Sequence, residues 1–132
     1  MKRSENGWLQ DENMKSKTVV TDASYILDIL FPDERISNFP KEKIIAPTLL
    51  RYEIVNAIKM AVVRKRISQK VGLTLIKEWQ GWKIEYHDVD LEEVMKLALA
   101  TDLSVYDACY LWLAKEKGAE LLTFDKKLVK LV

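Results

Sequence analysis

The chain has 132 residues, of which 48% are hydrophobic and 31% charged, and 21 basic residues against 20 acidic ones give a net charge of +1. This size and composition predict one globular domain and exclude a disordered or fibrous chain. The charge balance excludes a basic arm as the basis of function. One Cys and one His exclude a disulfide framework, a multi-Cys zinc site and a two-His metal motif. No apolar run approaches the roughly 18 residues that span a bilayer, so we expect a soluble, cytoplasmic protein whose chemistry depends on carboxylates.

Short apolar strands alternate with helical patterns along most of the chain. Residues 1–17 are polar and lack a period, and we expect a flexible N-terminal extension there, followed by one domain over residues 18–132. Strands are predicted at residues 18–21, 44–46, 84–87 and 119–123. Helices are predicted at residues 22–31, 48–65, 68–82, 90–100, 104–117 and 125–131, and the fourth of these has an apolar side formed by Leu91, Val94, Leu97 and Ala98. This alternation predicts an α/β fold around a parallel sheet.

Four acidic residues occupy positions that bring them to one edge of such a sheet. Asp22 directly follows the first strand and Asp125 lies just beyond the last one, while Glu53 and Asp107 lie near the starts of helices. Because the carboxyl ends of parallel strands line a common crevice, we expect these four side chains to converge. Each also has a structural explanation, since Asp22 and Asp125 suit helix N-caps and Asp107 suits a capping box with Ser104. Clustered carboxylates repel one another, however, and oxygen-only ligands suit Mg²⁺ or Mn²⁺.

Four segments of the chain resemble the PIN-domain nucleases in order and spacing: Val19–Ser24, Pro47–Asn56, Leu103–Ala108 and Leu121–Leu128. The phrases Tyr-Asp-Ala and Leu-Thr-Phe-Asp-Lys-Lys-Leu are most similar to those of the VapC-type ribonuclease toxins. The resemblance implies a single PIN-like domain over residues 18–132, with a twisted parallel sheet of four to five strands flanked by helices. It also implies a Mg²⁺- or Mn²⁺-dependent endoribonuclease that hydrolyses RNA phosphodiester bonds, a homodimer, and a cognate antitoxin protein of a type II toxin–antitoxin system.

The same resemblance suggests roles for individual side chains. Asp22 and Asp107 are expected to be the central metal ligands, with Glu53 and Asp125 completing the set directly or through water. Three neighbours could support them by hydrogen bonds, although a purely structural role fits each equally well: Ser24, Asn56 and Thr123. Positive charge around an acidic site is needed to hold RNA phosphates, and the candidates are Arg51, Lys126 and Lys127.

Other families with an acidic pocket fit the sequence less well. A haloacid-dehalogenase-like phosphatase needs a second Asp two residues after the first, where this chain has Ser24. A receiver domain needs adjacent acids after its first strand, and here only Asp22 is present. Two alternatives stay open: a PIN-like module that binds RNA or protein with little catalysis, and an RNA-processing nuclease outside a toxin–antitoxin pair.

Overall fold

The parts of the chain that the structure describes contain six strands and six helices. The computed structural model describes residues 17–31 and 38–132, together with the backbone of residues 2–4 and 7–9. Strands β1 (Lys2–Ser4) and β2 (Gly7–Leu9) pair antiparallel with each other and form a separate two-stranded sheet. The sequence pattern did not predict these strands. Residues 1, 5, 6 and 10–16 of the predicted extension, together with Pro32 and residues 33–37 of the predicted connection, lie outside the described residues.

The main sheet has four parallel strands in the order β5-β4-β3-β6. Its strands are β3 (Thr18–Thr21), β4 (Lys43–Pro47), β5 (Ile84–His87) and β6 (Glu120–Leu122). In the register Val20 pairs with Ile45 on one side and with Leu121 on the other. These central strands are almost wholly apolar because helices cover both faces of a parallel sheet. The α/β fold with a four-stranded parallel sheet is therefore confirmed.

Six helices connect the strands and flank the sheet. They are α1 (Ala23–Leu30), α2 (Leu49–Val63), α3 (Gln69–Gln80), α4 (Leu91–Thr101), α5 (Val105–Lys117) and α6 (Lys126–Val129). Asp22 and Asp125 accept the N-cap hydrogen bonds of α1 and α6, and Ser104 accepts that of α5. The N-cap roles that the sequence suggested for Asp22 and Asp125 are thus present. None of the helices in the described residues is both long and apolar enough to cross a membrane.

The hydrophobic core lies between the sheet and the helices and fixes the directions of α2 and α5. Helix α2 buries Leu50, Ile54 and Ile58, whose spacing of four residues gives it one core-facing side. Helix α5 buries its middle turns, including Tyr110 and Leu111. Because both helices are held by this packing, the side chains of their first turns are directed to the carboxyl edge of the sheet.

Candidate active site

The four acidic side chains line one cleft at the carboxyl edge of the sheet. The cleft has a volume of about 270 Å³ and is bordered by Asp22, Glu53, Asp107 and Asp125. Asp22 directly follows β3 and Asp125 lies three residues beyond β6, while Glu53 and Asp107 belong to the amino-terminal parts of α2 and α5. The convergence expected from the ends of the strands is therefore present in the structure.

Asp22 is buried at the floor of this cleft and is held by three donors. Its Oδ1 accepts hydrogen bonds from Ser24 Oγ at 2.7 Å and from the Tyr25 backbone N–H at 3.1 Å. Its Oδ2 accepts a hydrogen bond from Thr123 Oγ1 at 2.5 Å. Only 5% of Asp22 is exposed, so these bonds replace the water that its carboxylate loses on folding. Ser24 and Thr123 therefore contact the acid that they were predicted to support.

Thr123 joins the first acid to the last one. Its hydroxyl donates to Asp22 and accepts a hydrogen bond from the Asp125 backbone N–H at 2.9 Å. The Asp125 carboxylate in turn accepts at Oδ1 from the Lys127 backbone N–H at 2.8 Å, which caps α6. One threonine thus fixes the spacing between the acid that follows β3 and the acid that precedes α6.

Glu53 has a partner that the sequence did not reveal. Tyr110, only 1% exposed, donates its hydroxyl to Glu53 Oε1 at 2.5 Å. Burial raises the pKa of the Tyr110 phenol, and the Glu53 carboxylate raises it further, so the hydroxyl stays protonated and acts as a donor. The available signal was the spacing, since Tyr110 follows Asp107 by three residues on α5 and so lies on the same side of that helix.

The electrostatics of the cleft favour a bound cation. Burial raises the pKa of Asp22, of Glu53 and of Asp107 above their ordinary values. Negative charge from neighbouring acids adds to each rise: Asp125 acts on Asp22 and on Asp107, and Asp22 acts on Glu53 and on Asp107. Hydrogen bonds to the carboxylates oppose these rises without cancelling them. When these acids are ionised, their negative charges repel one another, and a divalent cation bound between them would neutralise that charge.

The chemistry of the donors fits Mg²⁺ or Mn²⁺, which prefer carboxylate oxygens. Within residues 17–31 and 38–132, however, no group of three or more acidic, histidine or cysteine side chains is arranged to hold one metal ion directly. The cleft therefore does not provide a preformed site in which all four acids are direct ligands. Mg²⁺ commonly keeps several waters and takes only one or two protein carboxylates, so the residues fit a cation held partly through water.

The other predicted side chains divide between the cleft and more distant surfaces. Asn56 borders the cleft and is exposed. Lys126 and Lys127 are exposed at the start of α6, and the Lys127 ammonium group is near enough to oppose the rise in the pKa of Asp107. Asn56 and Lys127 are therefore near the acids, whereas Lys126 is shown only to be exposed beside Lys127.

Arg51 does not border the acidic cleft. Its guanidinium carbon lies 5.5 Å from the ring centre of Tyr52 and 5.7 Å from that of Tyr86, in a groove beside the edge strand β5. Residues two positions apart on a helix point in nearly opposite directions, so proximity in sequence to Glu53 did not bring Arg51 to the acids. Its contact with RNA stays a prediction, and it would involve a different part of the surface.

Comparison with known proteins agrees with this architecture. The sequence model of the PIN domain matches residues 19–132. The chain belongs to the PIN-domain family. It is 29% identical to Ribonuclease VapC3 of Pyrobaculum aerophilum over 122 residues, which cover 85% of this chain and 92% of that protein. Residues 19–132, which the PIN-domain model matches, include all four acids of the cleft and the whole parallel sheet apart from Thr18.

Two solved structures share the fold. The PAE2754 protein of Pyrobaculum aerophilum superimposes with a TM-score of 0.70 and 26% identity, covering 87% of this chain and 86% of that one. VapC20 of Mycobacterium tuberculosis, a toxin that cleaves the sarcin–ricin loop, superimposes with a TM-score of 0.63 and 12% identity, covering 86% of this chain and 94% of that one. At 12% identity the second likeness concerns the fold alone. The resemblance of the sequence to VapC-type PIN domains is thereby confirmed.

Proposed function

We propose that this protein is an endoribonuclease that depends on Mg²⁺ or Mn²⁺ and hydrolyses RNA phosphodiester bonds. The observation that carries the proposal is the cleft lined by Asp22, Glu53, Asp107 and Asp125 at the carboxyl edge of the sheet. The similarity to a protein named as a ribonuclease supports the choice of substrate. A divalent cation bound there would supply positive charge to the scissile phosphate and would lower the pKa of a water molecule.

The residues of the cleft have separable tasks in this mechanism. Asp22 and Asp107 hold the cation, directly or through water, and the three donors to Asp22 keep its carboxylate in one orientation. Glu53 Oε1 is occupied by the hydroxyl of Tyr110, and Oε2 has no hydrogen-bond partner among the described residues. This leaves Oε2 as the oxygen that would accept a proton from the attacking water.

Asp125 and the lysines that follow it complete the mouth of the cleft. Asp125 Oδ1 caps α6, so Oδ2 is the oxygen that would be available to a cation or to a water held by it. Lys127 and Lys126 supply positive charge beside the acids, which would otherwise repel the phosphates of an approaching RNA. Asn56 is placed at the same mouth to donate its amide to a phosphate oxygen or to a water.

A ribonuclease of this kind would act as the toxin of a type II toxin–antitoxin pair. Its protein partner would be the antitoxin, and it would form a homodimer. Similarity to VapC proteins supports this assignment. Expression of the wild-type chain should arrest growth of a bacterial host, and expression of Asp107→Asn should not. Growth arrest by both proteins alike would contradict ribonuclease toxicity.

A PIN-like module that binds RNA or protein with little catalysis is the second candidate. One observation favours it: no three side chains of the described residues form a ready-made metal site. Cleavage of a panel of tRNAs and ribosomal RNA fragments, assayed with EDTA, Mg²⁺, Mn²⁺ or Ca²⁺, separates the two candidates. We expect cleavage with Mg²⁺ or Mn²⁺ and none with EDTA. Binding without cleavage under every condition would favour the module, and cleavage in EDTA would contradict the role of the cation.

A further inference from the structure

We propose that Tyr25 and Phe124 form a platform on which one RNA base stacks beside the scissile phosphate. This inference rests on the proposed ribonuclease function and adds a contact to the base, whereas the acids and lysines contact only phosphate and cation. The two residues come from distant parts of the chain: Tyr25 lies in the first turn of α1, and Phe124 lies between β6 and α6. Both are immediate neighbours of residues that form the acidic cleft.

The geometry of the pair leaves one aromatic face for a ligand. The ring centres of Tyr25 and Phe124 are 5.5 Å apart and their planes differ by only 14°, so the rings are stacked. Phe124 is nevertheless 49% exposed. Tyr25 lies against one face of the Phe124 ring, so the opposite face is the one on which a planar ligand could be laid. A planar base laid on that face would extend an existing stack of two rings.

The platform is joined to the buried acid by short hydrogen bonds. The Phe124 backbone N–H donates to Ser24 Oγ at 2.9 Å, and Ser24 Oγ donates to Asp22 Oδ1 at 2.7 Å. The Tyr25 backbone N–H donates to the same Oδ1 at 3.1 Å. The backbone that carries each ring is therefore fixed relative to Asp22. A base held on Phe124 would place the attached phosphate at a constant distance from the carboxylates, which is the positioning that phosphodiester hydrolysis requires.

The surroundings of Phe124 select nucleic acid as the occupant. Asp125 follows it directly at the cleft, and Lys126 and Lys127 come next, both exposed. Proteins that bind single-stranded nucleic acid combine such positive charge, which holds the backbone, with exposed aromatic rings on which bases stack. Here one ring, the carboxylate of Asp125 and two cationic side chains follow one another within four residues, so one nucleotide could contact all of them.

The test measures how binding depends on the base and on the ring together. Affinities are measured by fluorescence anisotropy for three labelled probes: hexa-adenylate, hexa-uridylate and a hexamer of abasic ribose phosphates. All proteins carry Asp107→Asn so that the probes are not cleaved. Phe124→Ala and Phe124→Leu remove the ring, and Phe124→Trp restores an aromatic face. Phe39→Ala is the matched control, because Phe39 is 46% exposed and packs edge-to-face on Trp82 beside the amino ends of β4 and β5.

We expect Phe124→Ala and Phe124→Leu to weaken binding of hexa-adenylate by about five- to 150-fold, which is the range for loss of one base–aromatic stack. The effect should be smaller for hexa-uridylate, because uracil stacks less strongly. It should vanish for the abasic hexamer. Phe124→Trp should bind as tightly as the protein with Phe124, and Phe39→Ala should leave all three affinities unchanged.

Two results would overturn the platform while leaving the proposed function intact. One is equal weakening for the abasic hexamer and for hexa-adenylate, which would show that Phe124 acts only on the shape of the backbone. The other is unchanged affinity in both Phe124→Ala and Phe124→Leu, although the protein with Phe124 binds the probes. If the protein with Phe124 binds no probe and the wild-type chain cleaves no RNA of the panel, the platform and the ribonuclease function both fail.

Discussion

Replacement of Tyr110 by Phe removes one oxygen atom from the site and should measurably lower the stability of the folded protein. The Tyr110 hydroxyl is buried and donates to Glu53 Oε1 at 2.5 Å. A hydrogen bond to a charged group contributes about 1.5–3 kcal/mol to stability, and the half-buried Glu53 carboxylate has no other hydrogen-bond donor among the described residues. We therefore expect Tyr110→Phe to lower the free energy of unfolding of the metal-free protein by about 1.5–3 kcal/mol near pH 7.

The pH dependence identifies the partner of that hydroxyl. The bond from Tyr110 lowers the pKa of Glu53, so its stabilisation is present above the titration of Glu53 and is lost as the pH falls through it. Urea denaturation of both proteins from pH 4 to pH 8 measures the difference. Tyr106→Phe is the control, since Tyr106 lies on the same helix but is 62% exposed. Equal, small effects of Tyr110→Phe and Tyr106→Phe at all pH values would refute the reasoning.

Three further predictions concern charge around the cleft. Burial raises the pKa values of Asp22, Glu53 and Asp107. The free energy of unfolding of the metal-free protein should therefore fall as the pH rises from about 4, because these groups then lose protons that the folded state binds more tightly. Urea denaturation should show a shallower fall for Asp107→Asn. Ca²⁺ should raise the melting temperature without supporting cleavage, because it tolerates looser geometry than Mg²⁺. Replacing Lys126 and Lys127 by Ala, in proteins that also carry Asp107→Asn, should make the slope of log K for RNA binding against log salt concentration shallower by up to about two. An unchanged slope would place the RNA elsewhere.

The elements of the sheet could be predicted because local pattern determines them. The segment Thr18–Thr21 is a short β-branched run that ends at an N-capping acid, and the helix that begins at Val105 has Ser104 before it and Gly118 after it. Gly118 takes a φ of +61°, a conformation that glycine adopts without strain. Because strand ends in a parallel sheet share one edge, the location of the cleft followed from the same pattern.

Contacts between distant segments could not be predicted in the same way. Tyr110 and Glu53 are 57 residues apart, and which aromatic residue of α5 reaches the acid depends on how α2 and α5 pack. The stacking of Tyr25 on Phe124 depends likewise on the position of β6 beside β3. The spacing of Tyr110 from Asp107 shows only that the two share a side of α5, and it does not identify Glu53 as the partner.

Position along and around a helix accounts for two further features. On α4, Leu91 is 72% exposed whereas Val94 and Ala98 on the same side of the helix are buried, and Leu91 is the first residue of that helix. On α2, a shift of two residues from Glu53 turns the Arg51 side chain away from the cleft.

The most direct test of the central claim is the single-turnover rate of RNA cleavage by Asp107→Asn in Mn²⁺, compared with the wild-type chain and with Asp102→Asn. Asp102 is exposed, does not border the cleft and has a φ of +60°, which Asn tolerates well, so its substitution makes the same chemical change away from the site. We predict that Asp107→Asn lowers the rate by at least about 100-fold while the protein stays folded, and that Asp102→Asn cleaves at the wild-type rate. Wild-type cleavage by a folded Asp107→Asn protein would contradict the assignment of the acidic cleft as the active site.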